Sequence, residues 1–408
     1  MNANTHLEVA YCTNVHAGTD LPTLRENLAR YAGGVARRLD THRLPVGLWI
    51  PASAAQAILP DTKGFADFLE DNGLDPLTIN GFPYDNFHSG VVKHDVYRPT
   101  WADGSRFDYT MQLAEILAAI LPVGRMKASI STLPIGWPVA ADPTDVSMRS
   151  SGELKGLAGA NLRNLANRLA RLRDKTGRTI IVAIEPEPGC ILDIAEDIVD
   201  FFASELPESL HREFIQVCHD VCHSSVMGES QAETLRKYAR ANIGLAKIQV
   251  SSGIVANWQA MAIPRRAEAL EQLSQFAEDR YLHQTGQVFS GGGFRLAEDL
   301  PQAIAAARQS ESKVPEDDRW VVHFHVPIFL DRFGHLTTTQ DDIGRAIAAA
   351  IDPVIGIDFT GHLEIETYAW TVLPESMRRR ELEDEIADEF RWLKRKLFEI
   401  QAATQPPR

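Results

Sequence analysis

Cysteine is scarce. Four residues (Cys12, Cys190, Cys218 and Cys222) in a chain of 408, none spaced C-x-x-C, exclude a disulfide framework and make a reducing compartment the simplest reading. Long apolar runs are missing too. No uninterrupted stretch reaches the roughly 18 to 20 residues of a membrane span, and the N-terminus has no basic segment leading into an apolar one. The chain is therefore expected to be soluble and cytoplasmic. Basic charge is in deficit, with 41 Lys and Arg against 55 Asp and Glu for a net charge of -14. Nucleic-acid binding needs clustered base to displace counterions, so no nucleic-acid partner is expected, although a local basic patch stays open. Low complexity is confined to Ala-rich stretches near 303–307 and 346–350 and to a polar tail, 401–408. There is no internal repeat, and no G-x-S-x-G, H-E-x-x-H or G-x-G-x-x-G motif. The run Gly291-Gly292-Gly293 lacks the Lys-Ser/Thr of a phosphate-binding P-loop and reads as a flexible loop.

What is present is ordinary globular material, 44% hydrophobic and 24% charged. The length suits two or three domains of about 150 residues each, or one elaborated barrel. Short apolar, β-branched runs alternate with helical stretches, which is the signature of a parallel sheet wrapped by helices. The runs are 7–13, 46–50, 77–80, Lys127–Thr132, Thr179–Ile184, 214–218, Leu245–Val250, 320–325 and 362–366. Helical periodicity is clear over 21–38, 109–121 and 154–176, the last followed by Gly177 as a stop. Nine runs exceed eight strands by one, and the surplus run 320–325 lies in a connection too long for a single loop. The expected fold is an α/β protein, a (β/α)8 TIM barrel over 1–400, with a long insertion at about 251–361 before the last strand.

Such barrels build their active sites at the C-terminal ends of the strands, so the polar residues closing each run are the candidates. These are His16 after run one, Asn80 and His88 after run three, and Glu185 and Glu187 after run five. They continue with Asp220 and His223 after run six, Gln249 on run seven, His323 and His325 on the surplus run, and Glu364 and Glu366 on the last. Carboxylates, an amide oxygen and imidazoles converging on one mouth make a divalent-metal site, with oxygen ligands suiting Mg²⁺ or Mn²⁺ and histidines moving the preference toward Zn²⁺. Each has a plainer reading. Glu185 could be a salt-bridged loop carboxylate, Asp220 a helix cap, His323 and His325 hydrogen-bonded core groups, and Glu187 structural. Strand periodicity puts His323 and His325 on one face. It does the same for Glu364 and Glu366, where repulsion calls for a cation or a shared proton; Glu364 is a partner for Lys247. Arg98, Tyr97 and Trp137 are candidates to hold a substrate, each equally explicable as loop packing.

Glu185, Asp220-x-x-His223, Gln249 and Glu366 together resemble the xylose-isomerase-like barrels, which include sugar epimerases, hydroxypyruvate isomerase and type IV apurinic endonucleases. The resemblance implies one metal held by Glu185, Asp220, Gln249 and Glu366, with the two glutamates exchanging a substrate proton. Phe87-His88-Ser89-Gly90 is similar to the endonuclease turn that supplies an extra zinc ligand. A wider resemblance runs through Tyr11-Cys12-Thr13-Asn14-Val15-His16, Asn80-Gly81-Phe82-Pro83-Tyr84, Val96-Tyr97-Arg98-Pro99, Ser129-Ile130-Ser131-Thr132-Leu133-Pro134, Glu185-Pro186-Glu187-Pro188-Gly189, Asp220-Val221-Cys222-His223 and His323-Phe324-His325-Val326-Pro327. These segments resemble the EboE-type metabolite-traffic proteins. That likeness implies processing or traffic of a precursor metabolite alongside operon-encoded protein partners, while the xylose-isomerase-like resemblance implies a metal-dependent isomerase or epimerase acting on a small, sugar-like or phosphorylated metabolite. A multi-metal phosphodiesterase using His16, His88 and His325, or a non-catalytic metabolite-binding protein, are the alternatives. His223, His325 and His88 would be further metal ligands, and His16, Asn80, His323, Arg98 and Trp137 substrate contacts.

Overall fold

The computed structural model describes residues 6–404 apart from 86, 139–149, 290, 376 and 379. Seven parallel strands arise in order: β1 (Glu8–Cys12), β2 (Leu44–Trp49), β3 (Leu74–Asn80), β4 (Lys127–Thr132), β5 (Thr179–Ile184), β6 (Ile215–Asp220) and β7 (Leu245–Val250). A second sheet follows, from β8 (Ile254–Ala256), β9 (Thr285–Val288), β10 (Phe294–Ala297), β11 (Arg319–Val322), β12 (Arg332–Phe333) and β13 (Leu336–Thr338). The chain then returns to the barrel with β14 (His362–Ile365). The barrel closes in the order β1-β14-β7-β6-β5-β4-β3-β2, a (β/α)8 TIM barrel with a long insertion before its last strand. Among the described residues, no helix is long and apolar enough to cross a membrane.

The surplus run resolves into this second sheet, which is antiparallel in the order β10-β9-β11-β8-β13-β12. Only Arg319–Val322 is strand, and His323-Phe324-His325 lies beyond its end, so the expectation that a strand extends through these histidines is corrected. The chain turns there because Phe324 donates its N–H to the Val322 carbonyl. Phe324 itself is fully buried against Phe276, with ring centroids 5.1 Å apart.

Two apolar cores explain the two layers. The larger lies between the barrel's outer face and its helices, where Leu162, Leu165 and Leu169 of the helix Ser151–Thr176 are buried. That helix starts in a capping box between Ser150 and Glu153 and stops at Gly177, whose φ of 72° a side chain disfavours. The helical stretch 21–38 is broken in the middle by a single π-helical segment, Leu28–Ala32. The smaller core gathers Trp258, Trp320, Phe276 and Phe324 of the insertion with Trp49, Phe87 and Tyr368 of the barrel mouth. It fastens the insertion over the C-terminal end of the strands. The tail expected from 401 is helical as far as Thr404, and 405–408 lie outside the described residues.

The barrel interior combines a small apolar cluster, Ile181, Ala183, Cys218 and Ala246, with buried polar side chains. Lys247 and Glu364 are fully buried and paired at 3.0 Å, and Thr78 donates its hydroxyl to the same carboxylate. Gly47 on β2 makes room for it, since a Cβ there would collide with the Glu364 carboxylate. Below, Ser129 hydrogen-bonds His362 Nδ1 at 2.9 Å. A buried ion pair of this kind costs desolvation, which the mutual attraction of its charges offsets.

Candidate metal centre

Each candidate carboxylate is delivered by the end of a strand. Glu185 immediately follows β5, its N–H bonded to the Thr132 carbonyl at 2.9 Å. Asp220 is the last residue of β6 and also caps the following turn, accepting from His223 N at 2.8 Å and from the Ser251 hydroxyl at 2.8 Å, both through Oδ1. Glu366 follows β14, and its Oε1 accepts from the amides of Asn14 and Asn80, each at 2.8 Å. All three are buried. Burial, reinforced by the neighbouring Glu366 and Asp220, pushes the Glu185 carboxyl well above its ordinary range. Burial and then Asp220 do the same to Glu366. For Asp220 burial pushes upward, but His223, His325 and the bonds it accepts win and hold it below the usual value.

Three imidazoles face these carboxylates in one tautomer. His223 Nδ1 donates to the Pro186 carbonyl at 2.8 Å, His325 Nδ1 to the Glu366 carbonyl at 2.9 Å, and His323 Nδ1 to Gln284 Oε1 at 2.7 Å. The Gln284 amide cannot be reversed, because its nitrogen lies against the Pro188 carbonyl and Glu187 Oε1, both at 3.2 Å. In the neutral form of each ring, Nε2 then carries the lone pair. His223 Nε2 and His323 Nε2 meet at 3.1 Å, and His325 Nε2 stands 3.9 Å from Asp220 Oδ2. Burial and the neighbouring imidazoles hold His323 well below its usual range, and burial brings His325 down to about 4, so a shared proton is a poor solution.

The remaining polar atoms at this mouth are orphaned. Glu185 Oε2, Asp220 Oδ2, Asn14 Oδ1, His325 Nε2 and both amide atoms of Gln249 are buried without a hydrogen-bond partner. Native proteins avoid such groups, so a cluster of them marks a missing partner. Donor atoms of His223, His323 and His325 lie within 4.8 Å of one another, as do those of Glu185, Asp220 and His223. Carboxylate oxygens and imidazole nitrogens at this spacing fit a divalent cation, and the set mixes ligands suited to Mg²⁺, Mn²⁺ and Zn²⁺.

Above this floor is a small cavity. Asn80, Glu185, His223, His323, His325 and Glu366 line it, with Asp220 directly beneath. Gln249, fully buried beside Asp220 and Glu364 on the neighbouring strands, does not reach the cavity wall. His88 and His16 stand outside it. His88 Nε2 donates to the Asn14 carbonyl at 2.7 Å, while His16 stacks on Tyr31 at 4.6 Å and bonds the Tyr11 hydroxyl. The multi-metal cluster expected of His16, His88 and His325 is thus not assembled, because two of its members are turned into loop packing. Arg98 and Trp137 line a separate surface depression. Trp137 packs on Gly189, where a Cβ would come within 2.7 Å of the indole, and so braces the Glu185–Gly189 loop.

Glu187, read from sequence as structural, does line the cavity, and accepts from Tyr97 at 2.6 Å and Gln284 at 3.2 Å. Asn14 was visible only as part of a strand-end motif. Gln284, Tyr281 and Tyr368 carried no sequence signal, since nothing local shows that the insertion folds back here.

The sequence matches no protein-family model and no curated protein. Solved structures do share the fold. The chain is similar to a xylose isomerase-like TIM barrel protein from Mycobacterium smegmatis in complex with magnesium, at 11% identity over 97% of each chain and a TM-score of 0.52. It is also similar to an L-ribulose 3-epimerase, at 11% identity over 98% of this chain and 100% of that one, TM-score 0.48. A third is the IOLI protein with a bound zinc atom, at 11% identity over 98% and 100%, TM-score 0.44. What the first of these establishes for this chain is the barrel.

Proposed function

We propose that this protein is a metal-dependent isomerase or epimerase acting on an α-hydroxycarbonyl metabolite. The observation that carries the reading is the convergence of buried, partnerless carboxylate, amide and imidazole atoms at the barrel mouth. Glu185, Asp220 and Glu366, with Gln249 behind them and His223 and His325 beside them, would hold a divalent ion. When bound, that ion supplies Lewis acidity toward a carbonyl and its adjacent hydroxyl.

The chain's own groups would move the proton. Glu185 and Glu366 leave strands three apart around the barrel, so they flank the cavity. One carboxylate would remove the proton between the two oxygenated carbons and the other return it. Asn14 and Asn80 hold Glu366 in place through its Oε1, leaving Oε2 for that work. The apolar rim would keep water from the intermediate. Processing or traffic of a precursor metabolite alongside operon-encoded partners, as the EboE-type resemblance implies, is part of this proposal.

A second reading, a hydrolase of a small phosphate ester, is favoured by the facing Nε2 atoms of His223 and His323, which offer a second cation position. Against it, among the described residues Lys93 is the one Lys or Arg of the lining, and it is already paired with Asp299 at 2.6 Å. The test is to count ions by elemental analysis and to follow solvent deuterium into α-hydroxyketones by NMR. One ion with exchange supports the isomerase. Two ions with release of phosphate from esters support the hydrolase, and a fully loaded protein that does neither sinks both. His325→Ala should lower ion content with the fold intact.

A further inference from the structure

The division of the cavity into a polar floor and an apolar wall bears on what occupies it. Phe82, Phe87, Val96, Tyr281, Leu282 and Tyr368 form most of the wall. Several of its polar atoms are already committed. The Tyr97 hydroxyl donates to Glu187 and that of Tyr281 to the Phe87 carbonyl at 3.2 Å, while Lys93 is held by Asp299. Asn80 is saturated as well, its nitrogen on Glu366 and its oxygen accepting from Phe82 N at 3.0 Å. Buried atoms without a partner are concentrated at the floor, where Asn14 Oδ1, Glu185 Oε2 and His325 Nε2 lack one.

A free sugar carries a hydroxyl on nearly every carbon. Placed here, it would pair those at the floor and leave most of the others against ring faces and alkyl groups that offer little in return. We infer that the substrate is an amphiphile, with a head of two adjacent oxygens at the floor and an alicyclic or aromatic body, poor in hydroxyls, against the wall. This rests on the proposed metal-bound site for the head, whereas the body is read from the wall alone.

The experiment compares matched probes on the full-length protein. With Zn²⁺ or Mn²⁺ loaded, acetohydroxamate and benzohydroxamate present the same pair of oxygens on different bodies. Benzohydroxamate is expected to bind at least about tenfold more tightly, from burial of its ring. In parallel, EDTA-treated protein is titrated with benzyl alcohol and with fructose, observed by ligand NMR; benzyl alcohol should bind and fructose should not. Equal affinity for the two hydroxamates, or fructose outcompeting benzohydroxamate on loaded protein, overturns the amphiphile and leaves the metal site standing. Binding of benzyl alcohol by protein that takes up no ion supports the apolar wall and removes the proposed metal chemistry. Failure of benzyl alcohol to bind under either condition rejects the inference. In Leu282→Asn and Val96→Asn, checked by melting curves, the preference for benzohydroxamate should fall toward unity while acetohydroxamate affinity holds.

Discussion

The two ends of the barrel are both lined with charge, and they treat it in opposite ways. At the N-terminal end, Arg43 bonds Asp75 through Nε at 2.8 Å and Arg125 bonds Glu8 at 2.7 Å, all in contact with an open depression. At the C-terminal end, Glu185, Asp220 and Glu366 are buried and roofed by the insertion, and Glu185 Oε2 and Asp220 Oδ2 are left without partners beside an equally partnerless His325 Nε2. The first arrangement is satisfied by solvent and by itself. The second is costly unless something else binds, which is the expected contrast between the stabilising and the functional face of such a barrel.

Between the two ends lies the Lys247–Glu364 pair, and breaking it should give the largest effect. Lys247→Met leaves the Glu364 carboxylate buried without a counter-charge and should cost up to about 5 kcal/mol in urea unfolding. Adding Glu364→Gln should recover much of that. If the single variant is as stable as wild type, the pair does not anchor the barrel axis.

Removing the ion tests the contrast directly. For a site held at a hundred times its Kd, chelation should cost about 2.7 kcal/mol, seen as a lower melting temperature restored by Zn²⁺ or Mn²⁺. An identical melting curve after elemental analysis shows no metal would place the two mouths on the same footing.

The join between insertion and barrel sharpens the comparison at a third place. Glu389 accepts from Ile328 N at 3.1 Å and from the Thr367 hydroxyl at 2.6 Å, tying the segment after His325 to the residue after Glu366. Burial raises its carboxyl to about 7, against the downward pull of those two donors. A carboxyl raised on folding gives stability that is complete below its unfolded value, near 4.5, and is lost as the pH rises through about 7. Glu389→Gln should remove that slope and raise stability at pH 8 by about 2 kcal/mol. Equal pH dependence in both proteins would dismiss the assignment. The smallest effect belongs to the solvated end. Arg43→Ala should change stability by less than about 1 kcal/mol and leave ion content untouched; a loss of bound ion would show that the two ends are coupled.

The strands and their polar endings were legible because both are local properties. A run such as TIIVAI reads as a buried strand without its neighbours, and Glu185 must then emerge at its exit. The same holds for Asp220 after β6 and Glu366 after β14. The order of the runs implied the parallel barrel, and the excess of one run signalled an insertion.

Tertiary structure alone decided how the site is completed. His223 and His323 are a hundred residues apart and meet because Phe324 is anchored in the insertion's own core. Their tautomers are set by a carbonyl of the β5 loop and by Gln284, neither of which any spacing could indicate. His16 and His88 have the same chemistry in the sequence, yet ring stacking and a backbone carbonyl turn them aside, and Arg98 is left on the surface. Strand periodicity fixes which way a side chain points relative to its own backbone. Which distant groups share a dry cavity, and which atoms there go unpaired, depends on how the layers close over one another.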